Sequence, residues 1–358
     1  MIPQQQQYNS LLCTGYTNDK SFVVRGLNIG IFNNTQKDVE YETTISMAKE
    51  EAFIPRKIML HKQDNNMLIL HPTMKETVYN MDLHNGKTCE RWHMNDFNVK
   101  EILPINKNAQ STSASTLLGL NTAGFFMIDA RMEEKIIKDC CFQYANNQRF
   151  SCGATTNRGD LVLGTSKGTI KLFNHKKLVS NAYSRHNAKK INGIYNKIKA
   201  TSNLNNITNE IIGIDVTADG NWILATCKTY LLLIFSGLED NTTGFDKPLI
   251  SKGVKMFYLN INANDKTVKN VSFTPAQFNA GNNAEKHILT STGKFLITWD
   301  FEKMKKEFYK NDKNLEQCII REYQIKKYEY NIILDKFRYK DDKSIVVLFQ
   351  NDVCLSKI

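Results

Sequence analysis

Seven times along this chain a short apolar segment runs into a polar turn and straight out into a second apolar segment. The units are Ser21 to Phe32, Met67 to Met81, Leu117 to Ile128, Leu161 to Phe173, Ile223 to Phe235, Ile288 to Trp299 and Ser344 to Lys357. Their starts lie roughly 45 to 65 residues apart, which is the period of β-propeller blades rather than of one open sheet. The expected fold is therefore all-β: a single seven-bladed, degenerate WD-repeat-like β-propeller over residues 1–358. Propellers mostly supply surfaces, so the architecture by itself says little about function.

The repeat has internal grammar. Directly after the second strand, a small polar residue follows an apolar one in Phe32-Asn33, Met81-Asp82, Ile128-Asp129, Phe173-Asn174, Phe235-Ser236 and Trp299-Asp300. WD-repeat blades carry their Trp-Asp dipeptide at this place, and only one unit keeps it here, hence the description as degenerate. Upstream of the hairpins, Arg56 to His61, Phe150 to Ala154, Ile211 to Thr217 and Lys336 to Tyr339 are each followed by Gly, Asn or Asp turn chemistry. These read as innermost strands.

From Tyr230 to Phe235 every position is apolar, the pattern of a strand covered on both faces by neighbouring blades. The last unit ends at Ile358 with no room for a fourth strand, so the segment around Leu11 to Gly15 is expected to help close the ring. It could do so as an outer strand or as the innermost strand of the first blade. The charge-dense stretch 301–330 reads as a mobile excursion followed by an outer strand near Gln317 to Tyr323, with a short helix as the alternative.

The formal net charge of +11 suggests nucleic acid or membrane until it is mapped. Residues 175–209 hold Lys176, Lys177, Arg185, Lys189, Lys190, Lys197 and Lys199 with no Asp or Glu, so seven of the eleven excess charges lie in one Asn-rich insertion. Its composition predicts a solvated, mobile loop. The competing reading makes these seven residues an electrostatic footprint for an acidic partner, anionic lipid or RNA. Base-stacking platforms are unsupported, since the insertion has only Tyr183 and Tyr195.

Catalytic and metal patterns dissolve in their context. Gly164-Thr165-Ser166-Lys167-Gly168 has the spacing of a nucleophile elbow, but it leads into the strand Thr169 to Phe173 rather than a helix. Ser291-Thr292-Gly293-Lys294 lacks the earlier Gly and following Ser/Thr of a phosphate loop. Cys89 and His93, with His84 nearby, have no second ligand pair for zinc. The eight cysteines show no CxxC spacing and read as reduced thiols. No cofactor, metal or catalytic residue is assigned. There is no apolar run of the ~18 residues needed to span a bilayer and no export signal, so the protein is expected to be cytoplasmic and not transmembrane.

Several strands have familiar wording. Phe22 to Gly26, Met59 to Asp64, Tyr79 to Leu83, Ile211 to Val216, Gly220 to Ile234 and Ser272 to Asn279 resemble the C-terminal propeller of the vacuolar import and degradation family. The likeness is to the yeast member numbered twenty-seven and to plant relatives named for defective embryos and meristems. It runs from about Tyr16 to Val353. It implies a cytoplasmic propeller without known catalytic chemistry, linked by name to delivery of cytosolic proteins for vacuolar degradation. Longer members carry N-terminal regions, one resembling a lipid-binding pleckstrin-homology fold, and no such region is read in these residues. The expectation is a non-enzymatic platform that binds a protein or peptide on a propeller face.

Overall fold

A computed structural model describes residues 8–358 except 18, 34–38, 45–51, 96, 145–147, 179–189, 192–194, 206, 251–253, 262–267, 269, 282–283 and 311–319. Its strands form seven antiparallel up-and-down sheets in chain order, each a blade counted from the channel outward. The innermost strands are Asn9–Thr14, Lys57–His61, Glu101–Pro104, Phe150–Thr155, Gly213–Val216, Gln277–Phe278 and Ile332–Arg338. Alternating strand direction sends the first-to-second and third-to-fourth loops to one face of the ring, here the lower face. Second-to-third turns and the crossovers between blades lie on the upper face.

Seven clusters of buried apolar side chains fill the seven spaces between neighbouring blades. A strand's two faces serve two clusters, because successive side chains point opposite ways. Met67 and Ile69 pack toward blade 1, whereas Leu68 and Leu70 pack toward blade 3. Val346 and Leu348 face blade 1, whereas Ile345 and Val347 face blade 6. The uninterrupted apolar runs of the sequence are thus period-2 strands with both faces covered.

The N-terminal segment takes the innermost of the two places open to it. Asn9–Thr14 pairs with Lys20–Arg25, and blade 7 has three strands among the described residues. The ring closes by packing and by side-chain bonds. Leu12, Val23 and Phe32 meet Val346, Leu348 and Val353 across the seam. The buried Asn9 donates from Nδ2 to the Phe349 carbonyl at 3.0 Å, and its backbone N–H donates to the Gln350 carbonyl at 2.9 Å.

The expected excursion after blade 6 is corrected. Phe301–Lys310 is a helix, α1, and the outer strand is Tyr323–Lys327, later than expected. Asp300 Oδ1 accepts from the Lys303 N–H at 2.8 Å, capping the helix start. Phe301, Met304 and Phe308 recur at i, i+3 and i+7 and bury one face, which the charged residues between them obscured. Phe308 lies 4.7 Å from the rings of both Trp222 and Phe235 in blade 5. Replacing Phe308 by Ala should cost about 3–5 kcal/mol, read as a lower urea midpoint with an unchanged slope.

Candidate functional site

The catalytic-looking motifs are turns. Ser166 to Gly168 connects the strands Leu161–Thr165 and Ile170–Phe173, and Gly168 has φ +73°. A Cβ there would stand 2.1 Å from the Ile207 carbonyl oxygen, so glycine is required for close packing rather than for exposing a nucleophile. Gly293, at φ +53°, turns the hairpin of blade 6. Cys89 points its thiol at the Asn80 carbonyl, 3.2 Å away, and among the described residues no three His, Cys, Asp or Glu side chains gather as a metal site.

The central channel is where polar groups converge. Its lower mouth is crossed by the loop 105–115 of blade 3, the longest of the first-to-second loops, which contains the short 3-10 helix Ala109–Ser111. Lys107 N–H donates to the Thr156 carbonyl at 3.1 Å, and Asn108 Nδ2 donates to Asn157 Oδ1 at 2.9 Å, both in blade 4. Lys107 Nζ reaches Asp215 Oδ1 of blade 5 at 2.7 Å and lies 5.8 Å from the Phe278 ring of blade 6. Gln110 accepts from Tyr16 Oη of blade 1 at 2.7 Å through Oε1, and from the Gln63 N–H of blade 2 at 3.1 Å through its carbonyl. Tyr339 of blade 7 stacks edge-on against Tyr16 at 4.9 Å. The loop is therefore a plug tied, directly or through Tyr16, to every other blade.

Above the plug lies a cavity of about 310 Å³. Tyr16, Gln110, Ala280 and Tyr339 form its floor, and Leu12, Met59, Leu60, Phe278 and Phe337 line its walls. At the upper rim the Lys57 ammonium pairs with a Glu101 carboxylate oxygen, and the Lys57 side chain is 44% exposed. The other oxygen, Glu101 Oε2, is buried and unbonded among the described residues. Arg56 donates to the Val99 and Lys100 carbonyls at 2.7 and 2.6 Å, and Lys100 Nζ donates to the Phe150 carbonyl at 2.8 Å. Burial lowers the pKa of both cations, with Glu101 opposing.

Within the cavity, Lys336 faces the channel without a hydrogen bond or ion pair among the described residues. Burial pushes the neighbouring Cys13 thiol up to about 11, with the Lys336 charge opposing, so Cys13 is a protonated thiol and no nucleophile at neutral pH. The adjacent Asp335 points the other way, into the seam with blade 6. It is buried, accepts from Ser291 Oγ at 2.7 Å and Thr274 Oγ1 at 2.9 Å, and desolvation raises its carboxyl pKa.

The basic segment lies elsewhere. Lys176, Lys177 and Lys199 follow the third strand of blade 4 on the lower face, and Lys177 Nζ sits 3.4 Å from Thr201 Oγ1. Lys190 and Lys197 belong to a hairpin, Lys190–Ile191 with Tyr195–Lys197, whose second strand pairs in parallel with the outer strand of blade 3. Arg185 and Lys189 fall outside the described residues. Lys57, Glu101, Lys107 and Lys336 were not singled out from the sequence. Lys57, at the start of its strand, and Lys336, flanked by Asp335 and near Arg338, carry no distinguishing signal in the sequence, whereas that for Lys107 is the unusual length of its loop.

This geometry defines a class: a seven-bladed, WD40-like propeller with a channel plugged at one end. The chain belongs to the VID27 family, matching the description "VID27 C-terminal WD40-like domain" over residues 7–358. It is 33% identical to Vacuolar import and degradation protein 27 of Schizosaccharomyces pombe and 30% identical to the protein of that name in Saccharomyces cerevisiae. Each alignment covers 98% of this chain but only 42% and 44% of the relative, so the chain spans less than half the length of these curated relatives. Among solved structures, the Cps50 (Swd1) β-propeller domain of Myceliophteria thermophila superposes with a TM-score of 0.64 at 10% identity, covering 98% of this chain and 96% of that one. A second propeller, KlHsv2 with its loop 6CD replaced by a Gly-Ser linker, gives 0.55 at 9% identity, covering 96% and 90%. At such identities these two establish the fold alone.

The plug rests on Lys107. Replacing it by Met keeps the aliphatic stem but leaves Asp215 without its cation, which should cost about 2–3 kcal/mol. Amide hydrogen exchange should quicken across 105–115 while the blade hairpins stay protected.

Proposed function

We propose that this propeller is a non-enzymatic interaction platform of the cytoplasm, holding a protein or peptide partner at the upper mouth of its channel. The observation that carries the reading is the asymmetry of that channel: plugged below by residues 105–115, and reaching at its upper rim Lys57, Glu101 and the solvent. Loops and strand ends on a rigid ring suit such work, because little ordering entropy is lost on binding. The relatives' shared name, Vacuolar import and degradation protein 27, supports reading the work as trafficking or degradation of cytosolic proteins, or as that of a subunit in a larger assembly. The seven described cysteines are all free thiols, in keeping with a reducing compartment. Among the described residues no helix is long and apolar enough to cross a membrane.

The competing site is the basic segment 175–209, where Lys176, Lys177, Arg185, Lys189, Lys190, Lys197 and Lys199 would take up an anionic lipid or RNA surface. Deleting 175–209 would not separate the two readings, since Ser202–Leu204 is the outer strand of blade 4. Affinity purification with mass spectrometry from the native cell should instead compare three baits: the intact chain, Lys57→Glu with Lys336→Glu, and all seven basic residues changed to Ser. The expected result is a stoichiometric protein partner kept by the seven-fold variant and lost from the channel variant. Loss from the seven-fold variant alone would move the site to the basic segment. No stoichiometric partner on the intact bait would overturn the platform reading itself.

A further inference from the structure

We propose that the blind channel is a receptor for an acidic segment of the partner, with one Asp or Glu side chain descending to the Lys336 ammonium. This rests on the platform reading above and names the chemistry of what is held. At the upper rim three cations, Arg56, Lys57 and Lys100, stand against two carboxylates, Glu101 and Glu210, while deeper in the cavity Lys336 and the Asp64 carboxylate both act on Cys13. Arg56 and Lys100 donate to backbone carbonyls, so their charges are solvated but not neutralised. The excess is positive, and it sits at the entrance to a dead end rather than on a convex surface. Low-dielectric walls focus such a field along the channel.

Lys336 is the group that most requires an anion. Neither Cys13 nor Asp335 forms an ion pair with it: Cys13 is a protonated thiol, and the Asp335 carboxylate, though it feels the Lys336 charge, is held in the blade 6 seam by Ser291 and Thr274. An ammonium facing an apolar-walled cavity gains a charge-assisted bond from a carboxylate brought to it from solution. The apolar walls Leu12, Met59, Leu60 and Phe337 fit the methylene stem behind the carboxylate. A volume of about 310 Å³ lies at the low end for small-molecule pockets, enough for one or two side chains and too small for a large cofactor. At the rim, Glu101 Oε2 is free to accept a backbone N–H of the incoming segment. A carboxylate is favoured over a phosphate because the cavity offers one ammonium without an ion pair among the described residues, Lys57 being paired with Glu101, and neither a free guanidinium fork nor a helix N-terminus.

The test uses fluorescein-labelled hexaglutamate as probe and fluorescence anisotropy on the full chain. Wild type should bind it, should weaken as NaCl rises from about 50 to about 200 mM, and should not bind hexaglutamine. Lys336→Met should lower affinity by about tenfold or more, Lys336→Arg should recover most of it, and Lys176→Glu with Lys177→Glu should leave it unchanged. Thermal melts of each variant separate lost binding from lost folding. Equal binding by wild type and a folded Lys336→Met, or loss confined to the Lys176/Lys177 variant, would overturn the assignment. Binding more than about tenfold tighter when a phosphoserine replaces one glutamate would overturn the carboxylate in favour of phosphate. If hexaglutamate fails to bind while the purified partner is still lost from the channel variant, the acidic anchor falls and the platform stands.

Discussion

Apolar packing between the broad faces of neighbouring sheets holds this ring together, and a ring of seven blades needs seven such layers. Each buried Leu, Ile, Val or Phe contributes roughly 1.5–3 kcal/mol, so a layer of a dozen outweighs any single hydrogen bond in the protein. The layers are unequal. Fifteen buried side chains fill the space between blades 5 and 6, where α1 adds Phe301, Met304 and Phe308, but six fill the seam between blades 7 and 1. That seam joins the two ends of the chain, and the buried Asn9 reinforces it with bonds to the Phe349, Gln350 and Asp352 carbonyls. Where apolar area is smallest, directional bonds to backbone acceptors keep the register.

Ring closure has a geometric by-product. Innermost strands radiating from an axis cannot fill the centre, so a channel remains, lined partly by the inner ends of the interblade layers, as with Leu12, Leu60, Phe278 and Phe337, and partly by polar side chains. Here the lower end is taken up by an insertion from a single blade that bonds across to five others. Because the plug is anchored on several sides, it closes one mouth rigidly and leaves the other as the way in. The lower face carries both the plug and α1.

The architecture was legible because both of its signals are local. Apolar runs such as Tyr230 to Phe235 report a strand with two covered faces, and turn residues report the ends of strands. The α1 helix stood only as the alternative to a mobile excursion because its three buried residues are spread over two turns among Glu and Lys, where charge density masks periodicity. The resemblance to the family, carried by segments such as Gly220 to Ile234, came from the same buried strands. The channel was not legible, because its lining comes one or two residues at a time from strands hundreds of positions apart. Tyr16, Gln110 and Tyr339 meet only in the closed ring. By contrast, the one feature that stood out as charge, residues 175–209, did so because seven basic residues with no acidic one fall within a single stretch of the sequence.

Asp335 and Lys336 show how one strand serves structure and recognition together. They are adjacent in sequence, yet the pleat turns one carboxylate into the interblade seam and one ammonium into the channel. In the seam, Ser291 and Thr274 compensate the desolvated Asp335 charge. In the channel no such partner has been built, and the strand tolerates the unpaired Lys336 because solvent reaches it from the upper mouth. A group that served only the fold would be better as an apolar residue, since the walls around it are Leu12, Met59 and Phe337. The position of the ammonium therefore follows from what enters the channel, whereas the position of the carboxylate follows from how blades 6 and 7 hold together.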